Sequence, residues 1–351
     1  MPLHPRSLRQ HRLALVGFIV LAAWPASAAP PPAPVTPELV AAATAEGKVV
    51  FYTAMDLEVA QGVGKAFEAK YPGISAQVER SGSERMLQRV AQEYGSNIHI
   101  VDVIDSTDAA HPLYWKSQGW LVAYVPEGVL RLPGEARDSE GFYAADRATM
   151  APMAYNTKLV TAAEAPTAYG DLLDPKWRGK IVKASPAYSG NTLTGTLLLS
   201  RALGWDYFRK LSEQKVMQVQ SATEPPKKVV LGERPIMFEG SEYVALHAKS
   251  RGAPVELIYS SEGTPLLIGS AGVMKDAPHP NAARLFISFI FSDEGQHYLV
   301  EKGYFRSLMP DIPPPAGQPA LTDIKVLTAA APDIADASEE VKRRYAEVFG
   351  M

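Results

Sequence analysis

The sequence contains no cysteine. That excludes disulfide bonds, cysteine-ligated zinc and a cysteine nucleophile. It also suits an oxidising compartment, where a spare thiol is a hazard. No basic run or stripe stands out, and the formal net charge is −3. A nucleic-acid partner is therefore not expected. There is no Gly-x-Ser-x-Gly elbow, no His-Glu-x-x-His, and no His pair at zinc spacing. Nothing in the chain asks for catalysis. No tandem repeat is present, and past Trp24 no apolar run is long enough to cross a bilayer. What remains is an ordinary globular composition, 46% hydrophobic and 21% charged over 351 residues, enough for two lobes with separate cores.

The amino terminus carries Arg6, Arg9 and Arg12 without an acid, then the short apolar run LALVGFIVLAAW, then Ala26-Ser27-Ala28. Charged region, apolar region and small-residue site predict a secretory signal peptide over 1–28, cleaved after Ala28. The run breaks at Pro25, which disfavours a membrane anchor, and no Cys follows to carry a lipid. Cleavage removes three Arg and no acid, so the mature chain is more acidic. A Pro-rich leader spans 29–46; its first part, APPPAPVTP, is expected to be extended or without regular structure, and a helix is expected to start at Ala41 to Thr44.

Beyond it, KVVFYT is a continuous apolar run bounded by turn residues, as in a buried parallel strand. Val59, Val63, Ala66 and Phe67 recur at helical spacing, with Asp56 as N-cap and Pro72-Gly73 as the stop. The strand ISAQVER, a helix opening at Ser81 or Ser83, and the strand HIVDVID continue the rhythm. It predicts a parallel sheet with helices on its faces, an α/β class. A strand over 180–184 leads through AYSGNT into a helix near Asn191, and RPIMFEGSEYVALHA repeats that order. A strongly apolar helix pair follows from Asn281, and SEEVKRRYAEVFG reads as a terminal helix.

In several places a strand ends in a small polar loop that opens a helix: YTAMD, SGSE, DSTD, AYSGNT, EGSEY. Ligands of open α/β sheets lie beyond the carboxyl ends of strands, and helix starts favour anions. The same residues are what a bare N-cap or a plain turn requires, so each loop has a structural reading beside the functional one.

Taken in order, KVVFYTAMD, AFEAKYPGI, SGS, VDVIDS, MAYNTKLV, YGDLLDPKWRGKIVKASPAYSGNT and PHPNAARLFISFIFSDEGQHYLVEKGYF resemble the bacterial extracellular solute-binding proteins of ABC transporters. The nearest branch is the one that binds ferric iron, phosphorylated solutes or other small organic anions. The resemblance implies a two-lobed periplasmic-binding-protein fold that closes on ligand like a clam. Its first lobe would span 47–150, its second 151–265, with a return over 266–315 and a helical tail over 316–351. It further implies a monomeric periplasmic protein that feeds an inner-membrane ABC permease.

Iron-binding members hold Fe(III) with two adjacent Tyr, a His and a carboxylate. Here those positions fall on Glu242-Tyr243, Asp56 and Thr107. Tyr243 alone is kept, so iron on Asp56, Glu242 and Tyr243 is the alternative. The main expectation is an organic anion held without cofactor. Ser81, Ser83, Ser106, Ser189, Gly190 and Asn191 would serve a phosphate or carboxylate. Thr53, Asp56, Glu242 and Glu262 would take ligand hydroxyls or an amine, and Tyr188 and Tyr243 would stack. A bilobal sensory or scaffold role without transport is a further alternative.

Overall fold

The computed structural model describes residue 1 and residues 28–315 and 318–350. The expected signal peptide lies, apart from its two end residues, outside the described residues. Among those described, no helix is long and apolar enough to cross a membrane.

The helix expected from Ala41 to Thr44 begins earlier, as α1 (Pro37–Glu46). The sequence carries a full set of helix signals. Thr36 accepts a hydrogen bond from the Leu39 N–H at 3.3 Å, Pro37 opens the first turn, and Gly47 closes it at φ 74°. Upstream, the Ala33 N–H donates to the Val125 carbonyl at 2.8 Å, so the extended part is seated on the first lobe.

The first lobe then builds β1 (Lys48–Thr53), α2 (Leu57–Lys70), β2 (Ser75–Arg80), α3 (Ser83–Gly95), β3 (Val103–Ser106), α4 (Ala110–Ser117), β4 (Leu121–Val122) and β5 (Ala144–Met150). The second holds β6 (Met153–Asn156), β7 (Ile181–Ala184), α5 (Gly190–Leu203), α6 (Trp205–Glu213), β8 (Met217–Val219), α7 (Glu224–Val230), β9 (Ile236–Met237), α8 (Glu242–Ser250) and β10 (Val255–Ile258). The chain returns with β11 (Thr264–Met274), α9 (Pro280–Ile290), α10 (Asp293–Glu301), β12 (Val326–Leu327) and α11 (Ala331–Phe349).

Two sheets result. The first runs β12-β11-β3-β1-β2, with β4 and β5 also paired to β11; the second runs β10-β6-β9-β7-β8. β1 lies parallel to β2 and β3, as the βαβαβ rhythm requires, and β11 enters antiparallel to β3 and β5. Sheet membership changes between Met150 and Met153 and again between Ile258 and Thr264. The terminal segment does not stand apart. β12 pairs with β11, and α11 packs on α5, α6 and α4, touching both lobes.

Each lobe has its own aromatic core. Phe51 and Phe67 meet Phe286 at centroid distances of 5.1 and 5.0 Å in the first. Tyr169, Tyr207, Phe208 and Phe238 form the centre of the second. Gly64 looks like a flaw in α2, yet a Cβ there would lie 3.2 Å from the Ala76 Cβ, so the helix approaches β2 through it.

The end of α1 also fixes the start of α9. Glu46 accepts hydrogen bonds from the Asn281 N–H, the Asn281 side-chain amide and the Ala282 N–H at 3.1, 2.7 and 2.7 Å. A carboxylate on unpaired first-turn N–H groups complements the helix dipole. Glu46→Ala is expected to lower stability by roughly 1–2 kcal/mol, read as a lower urea midpoint at unchanged slope. An unchanged midpoint would mean that the contact is idle.

Candidate ligand cleft

The carboxyl ends of both sheets face each other, and their loops meet. On the first lobe these are the β1–α2, β2–α3 and β3–α4 loops. On the second they are the β7–α5, β8–α7 and β9–α8 loops. The lobes are shut on one another. Ser83 Oγ accepts from the Gly190 N–H at 2.7 Å. The Asp56 N–H donates to the Tyr243 hydroxyl at 2.8 Å. Lys342 of α11 reaches Glu84 at 3.1 Å. Asp56 pairs with Lys227, and Glu58 with Arg251.

The closure is tight at α5. A Cβ on Gly190 would fall 2.3 Å from the Asp108 Cβ and 2.8 Å from its backbone nitrogen, so only glycine lets this helix start approach. Ser189 caps the helix by accepting from the Thr192 N–H at 3.4 Å. Asn191 is buried, and its Oδ1 has no hydrogen-bond partner. Buried polar oxygens are rarely left so, and this one lies in the first turn of a 14-residue helix.

Six of the expected residues gather along this seam: Asp56, Ser83, Ser189, Gly190, Asn191 and Tyr243. Ser81 is half-buried beside them at the end of β2, and Tyr188 is exposed at the rim. Four others have partners elsewhere. Thr53 Oγ1 donates to Asp105 at 2.8 Å and accepts from the Met55 N–H at 3.0 Å, holding the β1–α2 turn from within. Ser106 Oγ bonds His111 Nδ1 at 3.0 Å and the Asp108 N–H. Glu262 accepts from the Tyr169 and Gly170 N–H groups, capping a turn of the second lobe.

Glu242 is fully buried between the two chain crossings. It pairs with Arg306 at 2.8 Å and accepts from the Tyr259 hydroxyl at 2.5 Å and the Met150 N–H at 3.1 Å. Its carboxylate braces the hinge instead of facing solute. Tyr243 stacks on Phe305 at 4.1 Å, and burial, with the Asp56 charge adding to it, raises its phenol well above the ordinary value.

The sequence reading missed Arg80, the last residue of β2. Its Nε donates to the Met55 carbonyl at 3.1 Å, and its Nη2 crosses the seam to Ser221 Oγ at 2.7 Å and Thr223 Oγ1 at 3.3 Å. Among the described residues it forms no ion pair. The signal was present, because QSATE is one more small polar loop between a strand and a helix, and Arg80 directly precedes SGS.

Beneath the cleft floor, Arg147 is buried on two acids. It binds Asp105 twice, at 3.0 and 3.2 Å, and Asp146 at 2.5 Å. Burial pushes Asp146 up to about 6 even with Arg147 alongside, and the Asp105 charge adds to it. A carboxyl raised above its unfolded value binds its proton more tightly when folded. Its contribution is therefore fully present at low pH and lost as pH rises through about 6. Asp146→Asn is expected to flatten the fall in stability between about pH 4 and 6, an effect of at most about 3 kcal/mol. Urea unfolding across that range checks it. A fall identical to the wild type would remove Asp146 from the account.

Comparison with known proteins adds the following. The profile of the bacterial extracellular solute-binding protein family matches residues 99–325. Iron uptake protein A2 of Synechocystis sp. is 24% identical over 258 residues, covering 66% of this chain and 71% of the relative. The periplasmic binding protein AfuA of Actinobacillus pleuropneumoniae, with exogenous fructose-6-phosphate bound, superposes with a TM-score of 0.79 at 22% identity, covering 87% of this chain and 99% of that one. Iron-bound HitA of Pseudomonas aeruginosa superposes at 0.72 with 20% identity, covering 86% and 99%.

Proposed function

Because the chain belongs to the bacterial extracellular solute-binding proteins, the ligand-capturing components of ABC importers and not a family of enzymes, we propose that it captures a small phosphorylated or carboxylated organic solute in the periplasm. It delivers that solute, as a monomer, to an inner-membrane ABC permease. The observation that carries the choice of ligand is Arg80. It is a guanidinium fixed at the cleft by a carbonyl of its own lobe, facing two hydroxyls of the other lobe, with no carboxylate among the described residues paired to it. An anion between the lobes would take the remaining Nη1 N–H groups, and Nη2 in place of the two hydroxyls, in charge-assisted hydrogen bonds. Ser221, Thr223 and Asn191 would then meet the same solute from the second lobe, and Asp56 would accept from a solute hydroxyl.

Ligand shifts the lobes by binding the closed state better than the open one, so contacts made from both sides at once are what drive closure. AfuA, bound to a sugar phosphate, supplies a neighbour with the same fold and that ligand chemistry.

The second reading is ferric iron, favoured by the likeness to iron-bound HitA and to iron uptake protein A2. It would need Asp56, Glu242 and Tyr243. Glu242 is already neutralised by Arg306, and Tyr243 is buried on Phe305 with its hydroxyl accepting from the Asp56 N–H. We rank iron behind the anion for this reason. No observation favours a sensory or scaffold role without transport.

Thermal unfolding of the chain from Ala29 onward separates the readings. At about 100 times its dissociation constant, a ligand adds roughly 2.7 kcal/mol of stability. A panel of fructose-6-phosphate, phosphonates, citrate and other carboxylates is expected to contain a stabilising anion, with fructose inert. Arg80→Ala is expected to weaken that anion roughly ten- to a hundredfold, as for a lost hydrogen bond to a charged group. Stabilisation by two different ferric chelates, unaffected by Arg80→Ala, would transfer the function to iron.

A further inference from the structure

We propose that Glu84, Asp108 and His111 form a site for a divalent transition-metal ion such as zinc, on the first-lobe side of the seam and distinct from the residues considered for ferric iron. Three side-chain ligand atoms converge there from the start of α3, the β3–α4 loop and α4, all within 4.8 Å of one another. His111 Nε2 lies 3.3 Å from Glu84 Oε1 and 3.6 Å from Asp108 Oδ2. Ligands about 2.0–2.1 Å from a tetrahedral zinc ion stand about 3.3–3.4 Å apart, so the spacing already suits the ion. One imidazole and two carboxylates are a donor set of the right hardness.

The site is also buried and under-satisfied. His111 and Asp108 are 3% and 1% exposed. Glu84 Oε1 is buried without a hydrogen-bond partner, because its approach to His111 lacks hydrogen-bond geometry. No hydrogen bond ends on His111 Nε2 either, although the ring is held from its other side by Ser106 Oγ at 3.0 Å. That hydroxyl accepts from the Asp108 N–H as well, and with Nδ1 so held a metal would meet the ring through Nε2, which faces the two carboxylates.

One cation already stands at the edge. Lys342 Nζ is 3.1 Å from Glu84 Oε2 and also 3.3 Å from Glu339 Oε1. It is partly exposed and has a second carboxylate to turn to. An arriving ion therefore competes with this ammonium for Glu84. Asp108 carries the backbone against which Gly190 packs, so the ion would brace the first-lobe side of the seam at α5.

The test is titration of the metal-free mature protein with Co²⁺, read by visible absorption and by calorimetry, with Zn²⁺ as competitor. One equivalent is expected to bind with a tetrahedral cobalt spectrum. His111→Gln and Glu84→Gln are expected to weaken it at least tenfold, while both variants keep the wild-type circular dichroism. Lys342→Met is expected to tighten it severalfold, because the competing cation is gone. A purely structural ion-pair network predicts the opposite set: no stoichiometric cobalt in the wild type, and no gain in Lys342→Met. Either result, or equal cobalt affinity in His111→Gln and wild type, would overturn the site.

Discussion

The ion pair between Glu242 and Arg306 is the fixed point of this molecule. Both side chains are almost wholly buried, and their partners include the Met150 N–H and the Tyr259 hydroxyl, one from each crossing between the sheets. Glu242 opens α8 in the second lobe, whereas Arg306 exchanges backbone hydrogen bonds with Ala148 of β5. Four chain segments therefore share one carboxylate. Breaking such a pair leaves an uncompensated buried charge, which typically costs about 3–5 kcal/mol. The lobes can swing only about a junction this strongly held. The neighbouring Tyr243 lies on Phe305 and meets the β1–α2 turn, so consecutive residues of α8 serve the hinge and the cleft.

From that junction the seam opens outward through progressively weaker contacts. Near the hinge lie the buried Tyr243 contact and, beneath the floor, the Arg147 cluster. Further out, Arg80 meets neutral hydroxyls, and Ser83 meets a single N–H group. The pair Glu58–Arg251 is exposed on both sides and contributes little, and in Asp56–Lys227 the lysine is exposed while the carboxylate is half-buried. An interface that is rigid at one edge and weak at the other suits reversible closure. Its equilibrium is then set by what occupies the middle.

Much of this was legible in the chain. Hydrophobic periodicity and turn residues give the parallel β1, β2 and β3 unit and the helix from Asp56, because burial of one face dictates both. The loops that form the cleft were legible as small polar stretches at strand ends. The roles of their acids were not. Glu242 and Glu262 look alike in sequence, each a carboxylate in a polar loop, yet one braces the hinge and the other caps a turn. Their partners, Arg306 and the Tyr169 N–H, are 64 and 93 residues away. Local pattern carries no information about such distant partners. Arg80 was overlooked for the converse reason. It closes an alternating strand and reads as a solvated end until the second lobe is placed opposite. In the leader a helix start was legible at Ala41 to Thr44, but its cap at Thr36 and first-turn proline were read as part of the Pro-rich stretch.

The central claim is that an anion closes the lobes through Arg80, and the absence of cysteine makes it directly measurable. Spin labels at Lys65→Cys on α2 and Arg201→Cys on α5, both exposed, report the distance between lobes by double electron–electron resonance. The account expects a broad distribution without ligand and a narrow, shorter one with the stabilising anion, the change being lost in Arg80→Ala. Narrowing by ferric iron alone, equal with and without Arg80, would contradict it.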